Sequence, residues 1–208
     1  MGSIRIVGGA LSGRRLRAPA GESTRPTSER VREAIASVLS SRHAIQGARV
    51  LELYAGSGAL GFEMISRGAD HVLFVEKDPR VAKLIRENAD ELAVEAQVEV
   101  LCMDATRPKS QAAIVQRGPF SLVLADPPYR DTEQATGAIA RLCAHGMLAS
   151  DACLLLEHGA RAVPVLPSDF RLISDYRYGD TGVILFEREV LHPAAQAAVE
   201  AAHEGKER

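Results

Sequence analysis

Asp126-Pro127-Pro128-Tyr129 is the stretch of this chain best equipped for chemistry, and it directly follows the apolar run Leu122-Val123-Leu124-Ala125. That run reads as a buried strand. Each proline fixes its φ angle and removes a backbone donor. The turn therefore offers two acceptors, the Asp126 carboxylate and the Pro127 carbonyl, with no competing N–H from Pro127 or Pro128. Tyr129 adds a flat face. Such a pocket suits a planar molecule bearing an NH2 group, whose two protons meet the acceptors while the ring stacks on Tyr129. Taken alone, the tetrapeptide reads equally well as a proline-terminated strand with an exposed tyrosine.

A second stretch narrows the choice. Gly56-Ser57-Gly58-Ala59-Leu60-Gly61 is a full G-x-G-x-x-G between a strand pattern and a helix pattern. Glycines there let the backbone approach a ligand closely, and the helix N-terminus favours an anionic group. Glu76 ends the next strand about 20 residues on, where an acid accepts hydrogen bonds from ribose hydroxyls. A nucleoside-containing cofactor follows, and a nicotinamide dinucleotide fits the glycines and Glu76 as well as any other. Glu52, four residues before Gly56, places an acid where a pyrophosphate would lie. A carboxylate is unfavourable beside a diphosphate and favourable beside an ammonium or sulfonium. Asp104, at the end of the third strand, is a further acid positioned for an adenine amine. An acid-lined glycine loop thus fits S-adenosylmethionine, which carries a sulfonium, an ammonium and no phosphate. A nicotinamide-dependent oxidoreductase and a non-catalytic RNA-binding module remain as alternatives. Thermal protection by adenosylmethionine or by NADH separates the first, and tritiated methyl transfer to RNA separates the second.

The elements that must hold these residues alternate. Strands are predicted at Val50–Tyr54, His71–Glu76, Val98–Cys102, Leu122–Ala125, Cys153–Glu157, Leu172–Tyr176 and Val183–Glu187, the last two forming a hairpin at the sheet edge around Tyr178–Gly182. Helices are predicted from about Ser28 to Ser40 with Thr27 as N-cap, after Gly58, from Pro79, and from about Glu133 to His145. On the first of these, Val31, Ala34, Ile35, Val38 and Leu39 make one apolar face, leaving Arg30 and Arg32 free for solvent or ligand. Alternating β and α units with apolar strands predict an α/β fold: a mostly parallel seven-stranded sheet with helices on both faces. Ligands of such sheets bind beyond the strands' carboxyl ends.

Length and composition set the frame. The 208 residues, 46% hydrophobic and 25% charged, suffice for one large α/β domain and a short extension. Residues 1–42 hold eight arginines against three glutamates, a balance of +5, so the remainder carries −7 within the net −2. A basic end on an acidic body predicts a localised polyanion contact. Ile4–Val7 and Arg15–Ala18, around the turn formers Gly8–Gly13, read as a hairpin displaying Arg5, Arg15 and Arg17. Cys102, Cys143 and Cys153 are odd in number and far from metal-ligand spacing, which predicts a reducing cytoplasm and no metal. No apolar run approaches the roughly 18–20 residues of a bilayer span.

Taken together, the motifs resemble a known family. Glu52–Gly61, Val75–Asp78 and Asp126–Tyr129 are similar to the successive motifs of Rossmann-like S-adenosylmethionine-dependent methyltransferases acting on exocyclic amines. Arg25–Ala34, Ser66–Ala69 and Tyr178–Thr181 more narrowly resemble the RsmD family, from about Ile4 to Glu187. The resemblance implies methyl transfer to guanine N2 of bacterial small-subunit (16S) ribosomal RNA within a small-subunit particle. It implies a catalytic Asp126, Pro127, Pro128 and Tyr129, and a cofactor site of Glu52, Tyr54, Gly56, Gly58, Glu76, Lys77, Asp104 and Ala105. RNA contacts are expected from Arg5, Arg14, Arg15, Arg17, Arg25 and Arg30. The expected organisation is a basic hairpin extension over 1–24, the methyltransferase domain over 25–190 and a mobile tail over 191–208. The chain departs from the family by carrying Glu52 where Asp is usual and Ala10-Leu11-Ser12 where the hairpin often has Trp and an extra basic residue.

Overall fold

Seven strands assemble into one sheet in the order β5-β4-β3-β6-β7-β9-β8. They are β3 (Arg49–Leu53), β4 (His71–Glu76), β5 (Val98–Cys102), β6 (Phe120–Ala125), β7 (Leu148–Gly159), β8 (Phe170–Tyr178) and β9 (Thr181–Arg188). The computed structural model describes residues 2–19, 28–128, 131–159, 170–178 and 181–189. Arg25, Thr27, Tyr129, Gly179, Asp180 and the 191–208 tail lie outside them. The β5-β4, β4-β3, β3-β6 and β6-β7 pairings are parallel, and β9 runs antiparallel to both β7 and β8. Chain order reverses between β3 and β6, which pair directly through Leu53 and Ala125. The loops after these two strands diverge there, opening the crevice where doubly wound sheets bind ligands.

The central strands are buried on both faces, which is why they read as unbroken apolar runs. Val50, Leu122, Leu124 and Leu155 pack on one face under α1 (Glu29–Ser41), α2 (Ala59–Ser66) and α3 (Pro79–Leu92). Leu51, Leu53, Val123, Leu154 and Leu156 pack on the other, against residues of α4 (Pro108–Val115) and α5 (Thr132–Ala144). No helix among the described residues is long and apolar enough to cross a membrane.

An antiparallel hairpin of β1 (Gly2–Arg5) and β2 (Arg15–Ala18) packs Ile4, Ile6 and Leu16 into the first of these cores. The first strand ends before the predicted Val7. Its continuation is diverted because the Val7 and Gly8 amides both donate to Glu63 on α2, each at 2.9 Å.

Other differences from the sequence reading have similar causes. Ser28, rather than Thr27, caps α1, its hydroxyl accepting the Val31 amide at 3.3 Å. Arg32 is not free for solvent or ligand: it is buried, and its guanidinium donates to the Arg5 carbonyl at 2.7 Å, so the hairpin covers a flank of α1 that its apolar stripe does not reveal. Helix α4 was not anticipated, since of its apolar residues only Ile114 is buried and Ser110 and Gln111 are buried with it. Strands β7 and β8 run longer than their apolar centres, each across a register shift, at Phe120/Leu122 between β6 and β7 and at Leu172/Ser174 between β8 and β9.

Candidate active site

The glycine loop leaves β3 through a left-handed Tyr54, φ 58°, and enters α2 at Gly58. Its glycines serve different ends. Gly56, φ 53°, has no atom nearer a hypothetical Cβ than the Tyr54 carbonyl at 4.0 Å, so its backbone is open to an approaching ligand. At Gly61 the same Cβ would stand 2.5 Å from both a Glu52 carboxylate oxygen and the Phe74 ring. Only glycine lets the first turn of α2 lie so close to β3 and β4.

Glu76, at the end of β4, ties this loop down. One carboxylate oxygen accepts the Gly56 amide and the other the Asp78 amide, both at 2.9 Å. An ionised carboxylate has about four acceptor sites, so ribose hydroxyls can still be received. Replacing Glu76 with alanine is expected to weaken adenosylmethionine binding roughly 10- to 150-fold, the effect of losing charged hydrogen bonds worth about 1.5–3 kcal/mol. Titration calorimetry reads this directly, and an unchanged Kd would remove Glu76 from the site.

Residues after β5 complete the rim. Asp104 receives both the amide and hydroxyl of Thr106 on one oxygen, at 2.9 and 2.7 Å, and these bonds hold its pKa below the usual carboxylate range. The other oxygen lies 3.6 Å from Arg107. Ala105 is buried beside it, and Lys77 is exposed next to Glu76. The Tyr54 hydroxyl is buried without a hydrogen-bond partner among the described residues. Burial pushes its pKa up to about 12, with Asp104 and Asp131 adding to the effect. The charges of these two acids reach the ring from the loops after β5 and β6. A strained backbone and an orphaned donor together mark a residue shaped for something other than stability.

The charge arrangement is the site's main electrostatic feature. Successive strands β4, β3, β6 and β7 carry Glu76, Glu52, Asp126 and Glu157 at or just beyond their carboxyl ends. Side chains alternate along a strand, so residues in step with Phe74, Leu124 and Leu155 face α1, α2 and α3; Glu76, Asp126 and Glu157 are each two residues further on and share that face. Glu52 lies one layer below them. The sequence reading placed it on the strand Val50–Tyr54 but lining the ligand's loop; it is a β3 residue as expected, yet buried rather than facing the loop, with the Gly61 amide donating to it at 2.8 Å. Burial, against the help of that bond, and then repulsion from Asp126, Glu76 and Glu157 together raise its pKa to about 8. A crowded row of acids is a poor place for a diphosphate and a good one for a sulfonium and an ammonium. Glu157 was missed in the sequence, although it ends an apolar strand just as Glu76 does.

Asp126, Pro127 and Pro128 follow β6 immediately, and the Pro128 carbonyl accepts the Asp131 amide at 2.7 Å, turning the chain back toward α5. Because Leu53 pairs with Ala125, Tyr54 and Asp126 leave the sheet side by side.

A family model described as Conserved hypothetical protein 95 matches residues 4–187. The chain belongs to this family, the RsmD family. Ribosomal RNA small subunit methyltransferase D of Escherichia coli K12 is 33% identical over 191 residues, spanning 90% of this chain and 91% of that protein. The solved structure of the E. coli protein yhhF superposes with a TM-score of 0.76 at 31% identity, over 90% of this chain and 99% of that one. Protein TTHA0928 of Thermus thermophilus gives 0.71 at 29% identity, over 88% and 98%. The RsmD-family core thus runs from the hairpin to β9.

The arginines expected to meet RNA divide into paired and unpaired. Arg5, Arg15 and Arg17 lie on one exposed hairpin face, Arg5 opposite Arg15 and Ser3 opposite Arg17. Arg5 pairs with Glu29 at 2.7 Å, and Arg17 with Glu91 and, at 3.6 Å, Glu87. Arg14, in the turn, donates to the Glu91 carbonyl at 2.6 Å. Arg15 donates to the Ser3 hydroxyl at 2.7 Å, and neither it nor the exposed Arg30 has a carboxylate partner among the described residues. Exposed ion pairs contribute about 0–1 kcal/mol, little enough for a phosphate to displace.

Proposed function

We propose that the protein methylates the exocyclic N2 amine of a guanine in small-subunit (16S) ribosomal RNA, with Asp126, Pro127, Pro128 and Tyr129 forming the acceptor pocket. Family membership makes the chain an S-adenosylmethionine-dependent rRNA methyltransferase. The choice of amine rests on the turn after β6, where Asp126 emerges beside the glycine loop because β3 and β6 are direct neighbours.

When bound, adenosylmethionine supplies an electrophilic methyl group on a sulfonium. The acid row suits that charge, and Glu76, Asp104, Gly56 and Gly58 would hold the nucleoside and the main-chain approach to it. The protein's own task is to make a weak nucleophile competent. An exocyclic amine delocalises its lone pair into the ring. Asp126 and the Pro127 carbonyl accept its two N–H bonds, return electron density to nitrogen and fix its direction, and Asp126 holds the proton that the amine sheds. Positioning and preorganised electrostatics supply most of the barrier reduction. The base must leave its stack to reach the pocket, and stacking on Tyr129 is worth roughly 1–3 kcal/mol. Labelled methylation of small subunits lacking the modification tests the reading: the product nucleoside should be N2-methylguanosine, and any other methylated nucleoside would overturn it.

The hairpin supplies the grip on RNA phosphates. Replacing Arg15 and Arg17 with alanine is expected to raise KM for the RNA particle and to reduce the salt slope of binding by about 1–1.5 units, at roughly 0.7 per phosphate contact on single strands. Arg15 should account for more of the change, since Arg17 already has two carboxylates beside it. Unaltered KM and slope would make these arginines an ordinary solvated face.

A further inference from the structure

The hairpin is held to the core in a manner that apolar packing does not require. Glu63 on α2 is wholly buried, and its two oxygens accept the Val7 and Gly8 amides and the Arg67 side chain, all at 2.9 Å. One turn later, Ser66 accepts the Leu11 amide on its hydroxyl at 2.9 Å and donates that hydroxyl to the Gly8 carbonyl. The Ser66 carbonyl accepts the Ala10 amide at 2.6 Å. The fit leaves no room for a side chain at Gly9, whose φ is 80°. A Cβ on Gly9 would stand 1.9 Å from the Ser66 carbonyl oxygen, and one on Gly8 2.2 Å from the Arg67 guanidinium. On the far strand, the Asn88 side chain accepts the Arg17 amide at 2.8 Å and donates to the Arg17 carbonyl at 3.1 Å, extending the sheet edge onto α3.

Burying Ile4, Ile6 and Leu16 would by itself hold a hairpin here, but apolar contact tolerates sliding. A buried carboxylate does not, because every displacement leaves a charge without its donors. The partner chosen for this lock also matters. Helix α2 opens at Gly58 from the cofactor loop, and its eight residues span roughly 12 Å. One short rigid element therefore connects the loop to the turn of the arginine-bearing hairpin.

We propose that Glu63 and Ser66 are positioning residues for RNA: by locking the hairpin turn onto α2, they set the distance and register between the phosphate grip and the methyl-transfer site. This rests on the reading that the hairpin contacts RNA. Neither residue touches substrate; both act through the hairpin.

The test is Glu63→Gln, which keeps the shape but removes the charge and sets an N–H against a backbone N–H. Expected are a KM for the small-subunit particle raised roughly tenfold, from weakening charged hydrogen bonds, and an adenosylmethionine Kd and kcat within about twofold of wild type. Combined with Arg15→Ala, the two effects on KM should fall short of their product, since both act through one hairpin. A Glu63→Gln variant that loses thermal stability while keeping its KM, or whose KM effect multiplies fully with that of Arg15→Ala, overturns the proposal while leaving the hairpin's RNA contact intact. If Arg15→Ala and Arg17→Ala themselves leave KM unchanged, the RNA reading of the hairpin fails and the positioning role falls with it. Should Glu63→Gln not fold, Ser66→Ala, which deletes one hydroxyl, is held to the same criteria with a KM increase of roughly threefold.

Discussion

Asp126→Ala is expected to lower kcat for RNA methylation by at least 10²–10³-fold, the scale of removing one preorganised electrostatic group from a reacting centre, while the adenosylmethionine Kd stays within about threefold. The partner proposed for this carboxylate is the substrate amine, so the loss should appear in chemistry rather than in cofactor affinity. A structural consequence accompanies the kinetic one. Asp126 is the first of the acids whose repulsion raises the Glu52 pKa. Its removal should let Glu52 ionise at lower pH. An equal loss of cofactor binding by calorimetry would transfer Asp126 to the cofactor's side of the site.

Glu52→Gln is the second large effect, and its sign depends on pH. The Glu52 carboxyl titrates near 8 in the folded protein against about 4.5 ordinarily. The folded state thus holds its proton more tightly than the unfolded chain. That contribution is fully present below about pH 4.5 and is lost progressively as pH rises through 8. The ionisation penalty at pH 8 is on the order of 3–5 kcal/mol. Glutamine cannot ionise, and its carbonyl can still accept the Gly61 amide. The cofactor-free variant should therefore melt higher than wild type at pH 8, by at least about 5 °C at 2–4 °C per kcal/mol, and within a degree or two at pH 5. Cofactor binding should show the opposite preference. A cationic ligand favours ionised Glu52, so wild type should release a proton on binding adenosylmethionine at pH 7, visible as a buffer-dependent heat, and the variant should release less and bind more weakly. No gain in stability at pH 8 would mean that Glu52 is ionised at little cost in the free protein.

How far these residues were legible from sequence follows from what fixes each one. Strands β3, β4 and β6 announced themselves because both of their faces are buried, so local hydropathy carries the information. The positions of Gly56, Glu76 and Asp126 were legible because each lies at or just beyond a strand end, where doubly wound sheets bind ligands. Arg32 was not, since its burial depends on a hairpin contact at Arg5, 27 positions away. Glu157 becomes part of the acid row only through the β6-β7 register, which no local pattern records. The depth of Glu52 was not legible because it is set by α2, whose first turn at Gly61 packs directly over its carboxyl group, a contact that no strand pattern records. The lock at Glu63 was invisible for a related reason, as a glutamate on an amphipathic helix ordinarily faces water.

Strand β9 has a consequence for how the chain is made. It follows every other described strand in the sequence, yet it lies inside the sheet, bonded to β7 on one side and β8 on the other. A ribosome emitting this chain delivers the cofactor loop, the acceptor turn and β7 before the strand that covers β7 exists. Until Thr181–Arg188 emerges, the apolar centre of β7 presents an open edge, the kind of surface on which nascent chains pair with one another. Seven of its residues, Cys153 to Gly159, are the ones β9 later takes up. Closing the sheet from within leaves β8, whose exposed residues include two arginines, as the outer edge, so the charged strand faces water and the sticky one is sheltered.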